Sequence, residues 1–280
     1  MPALLILFVV TIAPSLFLVA TSLTPLDLSR PATWWDFRDP LVNYRSLLRD
    51  DLFASSVWVQ VYLSVATVGF QLLAGLVIAV ILNRRTRFLE AVRAIFVIPM
   101  VLPPVVVAII WKVLFTPDVS VINWALGLVH LPQPSWLTDP HLALWTIIIA
   151  DVWEWFPFTM LMILAALQMM PDEPLEAARI DGAGAWQTFF YVVLPLLRPV
   201  IVLAALFRLI ESVKAFPLIF IMTSGGPGVT TQPTNYYAYL QGFSYNFIGY
   251  SSAISVIVLA FSFLLSWLII RMAGTRMQLD

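Results

Sequence analysis

Two apolar stretches in the second half of the chain carry side chains that could do chemistry inside a membrane. They read "ADVWEWFPF", residues 150–158, and "FRLIESVKAF", residues 207–216. Ionisable side chains within a membrane span are costly and by default mark a pathway or a functional pair. Hydrogen-bonding groups beside aromatic rings also suit a sugar, which has both hydroxyls and an apolar C–H face. The candidate pathway residues are Asp151, Trp153, Glu154, Trp155, Arg208, Glu211 and Ser212.

Other roles for these charges stay open on the residues alone. Glu154 could neutralise Arg208 between two spans, while Glu211 is spaced i,i+3 from both Arg208 and Lys214. In that case the charges would serve helix packing or contact with a partner chain. Alternatively, Asp151, Glu154 or Glu211 could relay protons or ions in a secondary transporter.

The composition indicates an integral membrane protein. Of 280 residues, 61% are hydrophobic and 11% charged, and the mean hydropathy is +0.91. A soluble domain is about 45–50% apolar and about 25% charged. The net charge of −1 offers no basic field for nucleic acid, and the absence of cysteine excludes disulfides. Two isolated histidines, His130 and His141, are expected to be solvated loop residues, so no metal site is predicted.

The hydrophobic pattern predicts an all-α membrane protein with six transmembrane helices in a single domain, residues 1–280. A spanning helix needs about 20 mostly apolar residues, whereas barrel strands would alternate over about ten. The N-terminal run is expected to be a retained span and not a signal peptide. The six predicted spans cover about 4–23, 57–82, 94–115, 141–169, 196–222 and 249–270. In the third, Pro103-Pro104 removes two amide donors and should kink or interrupt the helix, either to shape packing or to line a pathway.

Arginine placement predicts the orientation, because basic residues are concentrated in cytoplasmic loops. The loop after residue 24 also has four arginines, but it carries five aspartates as well. Both termini are therefore expected in the cytoplasm. The arginines on the predicted cytoplasmic side are Arg84, Arg85, Arg87, Arg93, Arg179, Arg198, Arg271 and Arg276.

A polar segment, residues 172–195, interrupts the otherwise apolar sequence on that predicted cytoplasmic side. Its first part, "PDEPLEAARIDGAGAW", predicts a short helix with Asp172 as its cap and Pro174 in its first turn. Small residues such as Ala183 would let another surface approach the backbone closely. The residues alone leave two interpretations open, a polar loop or a docking element for a cytoplasmic partner.

The spacing within this segment resembles a known signature. Residues 176–178 read Glu-Ala-Ala. Gly182 follows after three intervening residues, and Val192-x-Leu194-Pro195 follows after nine more. This is similar to the EAA motif of importer permeases of the ATP-binding cassette (ABC) superfamily, with valine where isoleucine is usual. The resemblance implies the type I ABC importer permease fold and a coupling helix that sits in a groove of an ATPase subunit.

The ATPase-coupling residues follow from that resemblance and from simple electrostatics. The motif assigns Glu176, Ala177, Ala178 and Gly182 to the contact with the ATPase. Asp181 joins Glu176 as an acid that can meet basic groups on a partner. The chain lacks GxxxxGK[ST], so ATP hydrolysis is assigned to separate subunits, which would bind ATP and Mg²⁺; no cofactor is expected in this chain.

A second resemblance narrows the class. "FPLIFIMTSGGPGVTTQPTNYYAYLQGF" followed by "IGYSSAISVIVL" looks like the carbohydrate-uptake permeases related to those for maltose and glycerol 3-phosphate. Gly225, Gly226 and Pro227 predict a turn with positive φ and a fixed bend, and in that family the region lies near a docked binding protein. The distance of "DVWEW" from the EAA motif also resembles the place where maltose-type permeases hold sugar.

The resemblance implies a partner set and a mechanism. The partners would be a second permease subunit, two ATP-binding cassette subunits, an extracytoplasmic solute-binding protein, the lipid bilayer and a sugar, polyol or related solute. The location would be the cytoplasmic (inner) membrane of a bacterium or archaeon, and transport would proceed by alternating access. A secondary transporter predicts internal repeats, of which none is evident, and leaves the EAA motif unexplained. An intramembrane enzyme ranks last, because HExxH and GxSxG are absent.

Overall fold

The computed structural model describes residues 2–83 and 86–274, and those residues form helices and connections with no strand. The all-helical fold expected from the sequence is confirmed. Arg84, Arg85 and Arg276, which entered the orientation argument, lie outside the described residues. The helices are α1 Pro2–Ser22, α2 Val42–Leu47, α3 Asp51–Ile81, α4 Arg87–Val101, α5 Pro104–Phe115, α6 Val121–Leu128, α7 Ala143–Gln168, α8 Glu173–Ile180, α9 Ala185–Thr188, α10 Leu194–Val213, α11 Pro217–Met222, α12 Thr234–Tyr239 and α13 Ile248–Gly274.

Four helices in the described part of the chain are long and apolar enough to cross a membrane. They are Asp51–Ile81, Ala143–Gln168, Ala185–Val213 and Ile248–Leu268. The bent pair α4–α5 would count as a fifth, and Leu7–Ser22 of α1 is apolar but shorter. Helices are therefore present in each of the six predicted spans, while the span bounds and the number six stay predictions.

The third predicted span is broken at its proline pair. Helix α4 ends at Val101, Leu102 and Pro103 are extended, and α5 begins at Pro104 with a bend of 96° between the two helices. Proline disfavours helical backbone in the residue before it, so Leu102 and Pro103 both leave the α region. The expected interruption is thus present, and residues 94–115 are not one straight helix.

The fifth predicted span, 196–222, differs from the structure at both ends. A continuous helical path starts at Ala185, passes through a π-helical turn at Phe189–Val193 and ends at Val213. Phe216 then adopts φ −135° and ψ −50° ahead of Pro217, which opens the separate helix α11. The hydrophobic run continues across Lys214–Phe216, and for that reason hydropathy alone did not show the break.

Helix α3 is the centre of the bundle and packs closely along α7. Gly75 makes that approach possible. A Cβ atom at Gly75 would lie 2.2 Å from Thr159 Oγ1 and 2.8 Å from the Met160 backbone nitrogen. The two backbones are therefore in near contact, and the hydroxyl of Thr159 donates a 2.7 Å hydrogen bond to the Gln71 carbonyl oxygen.

Large apolar side chains cover much of the outer surface of the bundle. Phe8 on α1, Val65 on α3 and Phe263 on α13 are each more than 60% exposed. A lipid bilayer or a second membrane chain would cover such a surface at little cost, whereas water would not. One group of buried polar residues lies where α3, α7 and α10 meet.

Candidate functional site

A polar stripe runs down one face of α3. Gln60, Ser64, Thr67 and Gln71 are all buried, and their spacing of four, three and four residues places them on the same side of the helix. This side faces α7 and α10. Sequence reasoning missed the stripe because it followed charged residues; the i, i+4, i+7, i+11 spacing of polar residues in an apolar helix was the available signal.

Gln71 joins the two charged residues that the sequence analysis selected. Its Nε2 donates to Asp151 Oδ2 over 2.7 Å and approaches the Asp151 carbonyl oxygen at 3.2 Å. Its Oε1 accepts a 2.9 Å hydrogen bond from Arg208 Nε. Arg208 Nη2 is also 3.8 Å from Asp151 Oδ2, so the carboxylate and the guanidinium form an ion pair bridged by the amide.

The ion pair differs from the one that the sequence suggested. Arg208 pairs with Asp151 and not with Glu154, and its guanidinium carbon lies 4.4 Å from the ring centroid of Trp155. Asp151 and Trp155 are one helical turn apart on α7, so they reach the same guanidinium from adjacent positions. One face of the Trp155 ring is therefore occupied by a cation.

Glu154 is buried but incompletely satisfied. It is 1% exposed, and its Oε1 atom has no hydrogen-bond partner among residues 2–83 and 86–274. A buried polar atom without a partner is costly and calls for an explanation, such as a role in binding a solute, water or ion. Its carboxylate is available to accept a hydrogen bond from a molecule that enters beside it.

Ser212 belongs to a second hydrogen-bonded group, which lies nearer the start of α3 than the Gln71 group. Its hydroxyl lies 2.8 Å from Ser64 Oγ, and Gln60 Nε2 donates to both Ser64 Oγ and the Ser212 carbonyl oxygen. Gln60 Oε1 has no partner in the described part of the chain. These contacts attach α10 to α3 directly beside the Gln71 group.

A cavity of about 120 Å³ opens beside the ion pair. Small-molecule pockets usually have volumes of about 300–1,000 Å³, so this cavity is smaller than a usual small-molecule site. Its polar and aromatic lining includes five of the predicted pathway residues. The lining includes Pro104, Asp151, Glu154, Trp155, Arg208, Glu211, Lys214 and Phe216.

The remaining two predicted pathway residues do not line this cavity. Ser212 lies in the hydrogen-bonded group described above, and Trp153 packs its ring against Trp111, with 5.7 Å between centroids, in an apolar cluster. Glu211 lines the cavity at an exposed position and pairs with Lys214, which also lines it, at 3.0 Å. Pro104, at the broken span, reaches the same cavity, so the break brings α5 to the site.

The polar segment at the other end of the bundle forms the predicted short helix. Helix α8 runs from Glu173 to Ile180, with Pro174 in its first turn. Asp172 occupies the N-cap position, but its side chain makes no capping hydrogen bond, so the expected cap is wrong in that respect. Its backbone is at φ −77° and ψ −26°, within the helical region, whereas a capping side chain needs an extended residue.

Gly182 ends α8 in a left-handed conformation with φ +74°. The Ala183 amide donates to the Ala178 carbonyl oxygen and the Gly182 amide donates to the Arg179 carbonyl oxygen, a Schellman-type end. No atom of the described chain lies within 4 Å of a Cβ built at Gly182. Glycine is therefore required by the backbone and not by crowding within this chain.

A broad groove lies along this segment. It has a volume of about 550 Å³ and is bounded by Ala177, Ala178, Asp181 and Gly182, four of the five predicted coupling residues. Glu176 is exposed on the same helix. Exposed apolar side chains lie around the groove, among them Ile180 at 86%, Trp186 at 77% and Tyr191 at 80% exposure. This is a surface of small, acidic and apolar groups suited to a close-packed protein partner.

The predicted turn at Gly225, Gly226 and Pro227 is present, and hydroxyl groups hold it. Gly225 has φ +82°, and a Cβ there would lie 2.7 Å from Tyr236 Cε1. Thr231 Oγ1 lies 2.7 Å from both Thr223 Oγ1 and the Gly226 carbonyl oxygen. Gly226 itself is not at positive φ, and its bond to Pro227 is cis.

Asp50 ties the start of α3 to the last part of the chain, which the sequence analysis did not predict. Its Oδ1 accepts from the Leu52 and Phe53 amides, and its Oδ2 accepts from the hydroxyls of Tyr237, at 2.6 Å, and Tyr250. Partial burial alone would raise the pKa of Asp50, but these four hydrogen bonds outweigh it and lower that pKa. Burial and the bond to Asp50 raise the pKa of Tyr237.

Residues 71–273 match the family described as "Binding-protein-dependent transport system inner membrane component". The chain belongs to this family. The matched range begins at Gln71 and contains the Asp151–Arg208 ion pair and the whole coupling segment. The expected membrane permease of an ABC importer is therefore confirmed.

Two relatives and one solved structure illustrate the family. The permease is 39% identical over 280 residues to the "Probable ABC transporter permease protein y4oQ" of Sinorhizobium fredii, covering 99% of this chain and 90% of that one. It is 34% identical over 240 residues to the "Trehalose/maltose transport system permease protein MalF" of Thermococcus litoralis, covering 86% and 80%. A chain in the crystal structure of a bacterial alginate ABC transporter, bound to a periplasmic protein carrying alginate pentasaccharide, superposes with a TM-score of 0.81 at 19% identity, covering 97% and 91%. That last likeness shows the fold.

Proposed function

We propose that the permease forms, with a second permease subunit, the transmembrane pathway of an ATP-driven importer for a sugar, polyol or related solute. The observation that carries this proposal is the buried group of Gln71, Asp151 and Arg208, which opens with Trp155 and Glu154 into a cavity. Two relatives named for trehalose/maltose and for sulfoquinovosyl glycerol transport support the solute class.

The chemistry of the cavity suits a polyhydroxylated solute. Sugar hydroxyls both donate and accept hydrogen bonds, and the cavity offers an unpartnered acceptor on Glu154 and a guanidinium on Arg208. The Trp155 ring supplies an apolar surface for C–H groups. Because Gln71 holds Asp151 and Arg208 together, the charges stay neutralised when no solute is present.

The small volume of the cavity supports a two-subunit pathway. About 120 Å³ in this chain is less than a small-molecule pocket usually needs, so a second permease would supply the facing wall. A different chain is the expected partner, which allows the two walls to bind different parts of one solute.

Energy would reach this pathway through the coupling segment. Two cassette subunits would bind ATP and Mg²⁺, and their closure would move α8 through contacts with Glu176, Ala177, Ala178, Asp181 and Gly182. The continuous helical path from Ala185 to Val213 leads from that segment towards Arg208. Movement at the groove would thus be transmitted along one element to the cavity wall, and the pathway would open towards a binding protein near Gly225–Pro227. Both termini would lie in the cytoplasm.

The experiment is reconstitution of the permease in nanodiscs with its second permease, cassette subunits and binding protein. ATP hydrolysis would be measured with trehalose, maltose, glycerol 3-phosphate and no solute. The proposal predicts that the binding protein loaded with one of these compounds stimulates hydrolysis several-fold. The proposal would be contradicted if none of these compounds changed the rate of ATP hydrolysis, or if a proton gradient drove uptake without ATP.

A further inference from the structure

Five aromatic rings form a continuous cluster between the cavity and the outer loops. This aromatic track consists of Phe216, Phe220, Tyr236, Tyr239 and Phe243, of which Tyr236 is buried and contacts Phe216, Phe220 and Tyr239 from the core side. Ring centroids are 5.4 Å apart for Phe216 and Phe220, 5.0 Å for Phe216 and Tyr239, and 5.4 Å for Tyr239 and Phe243. Each spacing lies within the range of direct ring contact, about 4.5–7 Å.

One end of the aromatic track lines the cavity, and the other end is exposed on the surface of the chain. Phe216 lines the cavity that also contains Glu154 and Arg208. Phe220 is 44% exposed and Phe243 is 74% exposed. The π-helical turn at Leu240–Ser244 continues α12 and keeps the Phe243 ring stacked on Tyr239, with 26° between the ring planes.

The residue types argue against two simpler roles. An interfacial belt uses tryptophan and tyrosine, whose polar tips reach water, whereas three of these five rings are phenylalanine with no polar atom. A face that only packs against lipid or another helix needs apolar bulk and is served equally well by leucine. Phe220 and Phe243 are exposed, so the rings at the outer end of the track offer aromatic surface to a passing molecule.

We propose that the aromatic track is a stacking path along which the C–H faces of a sugar move between the outer opening and the cavity at Arg208. The inference rests on the proposed function, since it requires a solute with such faces. Flat rings about 5 Å apart let a sugar ring contact the next aromatic ring before it leaves the last. Each stacking contact is weak, about 0.5–1.5 kcal/mol, so a series of them guides a solute without trapping it.

The test compares ring removal with ring retention at the two exposed positions. The complete complex would be reconstituted in liposomes of phosphatidylethanolamine and phosphatidylglycerol, and ATP-driven uptake of radiolabelled trehalose and maltose would be measured. The double variant Phe220→Leu/Phe243→Leu keeps apolar bulk but removes both rings, whereas Phe220→Tyr/Phe243→Tyr keeps them. Phe263→Leu, at an exposed phenylalanine on α13 away from the aromatic track, is the matched control.

The inference predicts that the leucine pair lowers uptake about fivefold or more. The tyrosine pair and Phe263→Leu should stay within about twofold of the unmodified permease. Uptake by the leucine pair at the unmodified rate would overturn the inference. Loss of the second permease on co-purification, with the leucine pair only, would overturn it too and would identify a subunit contact. If the unmodified complex takes up solute on a proton gradient without ATP, the proposed function itself is wrong.

Discussion

Gln71 on α3 and Asp151 on α7 are joined by a hydrogen bond of 2.7 Å from Nε2 to Oδ2. The same amide accepts from Arg208, so one uncharged side chain holds an anion and a cation from two other helices. These two buried charges are therefore held in place by a residue that carries no charge itself.

Gln71→Leu should remove both hydrogen bonds and leave two buried charged groups with one partner fewer each. We expect the free energy of unfolding to fall by about 2–3 kcal/mol and sugar-stimulated ATP hydrolysis to be lost. Thermal unfolding of the purified permease in detergent checks the first part. Gln60→Leu is the matched control on the same face of α3, because Gln60 already has one unpartnered oxygen and contacts no charged group. Equal losses for the two variants would contradict the central role of Gln71.

The contact between α3 and α7 at Gly75 makes a second prediction. Gly75→Ala would place a methyl group 2.2 Å from Thr159 Oγ1 and 2.8 Å from a backbone nitrogen, which must separate the helices. We expect destabilisation of about 1–3 kcal/mol by thermal unfolding. Gly69→Ala, on the same helix with open space around it, should be neutral or stabilising by up to about 1 kcal/mol. A tolerated Gly75→Ala would mean that α3 and α7 are not in backbone contact.

The left-handed end of α8 can be tested with a pair of neighbouring glycines. Gly182→Val puts a β-branched residue at φ +74°, whereas Gly184 is at φ −71° and ψ 167°, a conformation that valine adopts readily. Gly182→Val should cost about 1–2 kcal/mol locally, distort the groove and uncouple or prevent assembly with the cassette subunits. Gly184→Val should assemble and hydrolyse ATP normally. Co-purification and ATPase measurements decide between them.

How far the sequence predicts this site depends on the range of the interactions involved. Pro174 in the first turn of α8 and the break at Pro103 follow from local backbone rules, and the structure agrees with both. The left-handed backbone of Gly182 was not predicted, because that glycine was selected from its place in the EAA motif. The partner of Arg208 could not be predicted, because helix rotation decides whether Asp151 or Glu154 faces it. The Asp50–Tyr237 bond joins residues 187 positions apart, and no local pattern contains that information.

The Asp50 contacts predict a stability that depends on pH. A carboxyl whose pKa is lower in the folded state stabilises the fold above its unfolded pKa, and this contribution is lost as the pH falls through the folded value. The pKa of Asp50 lies below the ordinary 3.8, so the loss should occur in strong acid. The difference in melting temperature between the unmodified permease and Asp50→Asn should therefore be constant from pH 7 to pH 5 and shrink below pH 4. A difference that grows on acidification would contradict the hydrogen-bonding account.

The central claim is that the cavity beside Gln71, Asp151 and Arg208 lines the sugar pathway, and cysteine labelling tests it most directly. The chain has no cysteine, so Ala215→Cys places a single thiol in the cavity wall, and Val229→Cys places one on the exposed outer loop as a control. Both would be labelled with a small charged thiol reagent in the complete complex, built from otherwise cysteine-free subunits. In the complex held with binding protein, ATP and vanadate, sugar should slow labelling at residue 215. Sugar should not change the labelling rate at residue 229. Equal labelling of residue 215 with and without sugar, in a complex whose ATP hydrolysis responds to that sugar, would show that the solute passes elsewhere.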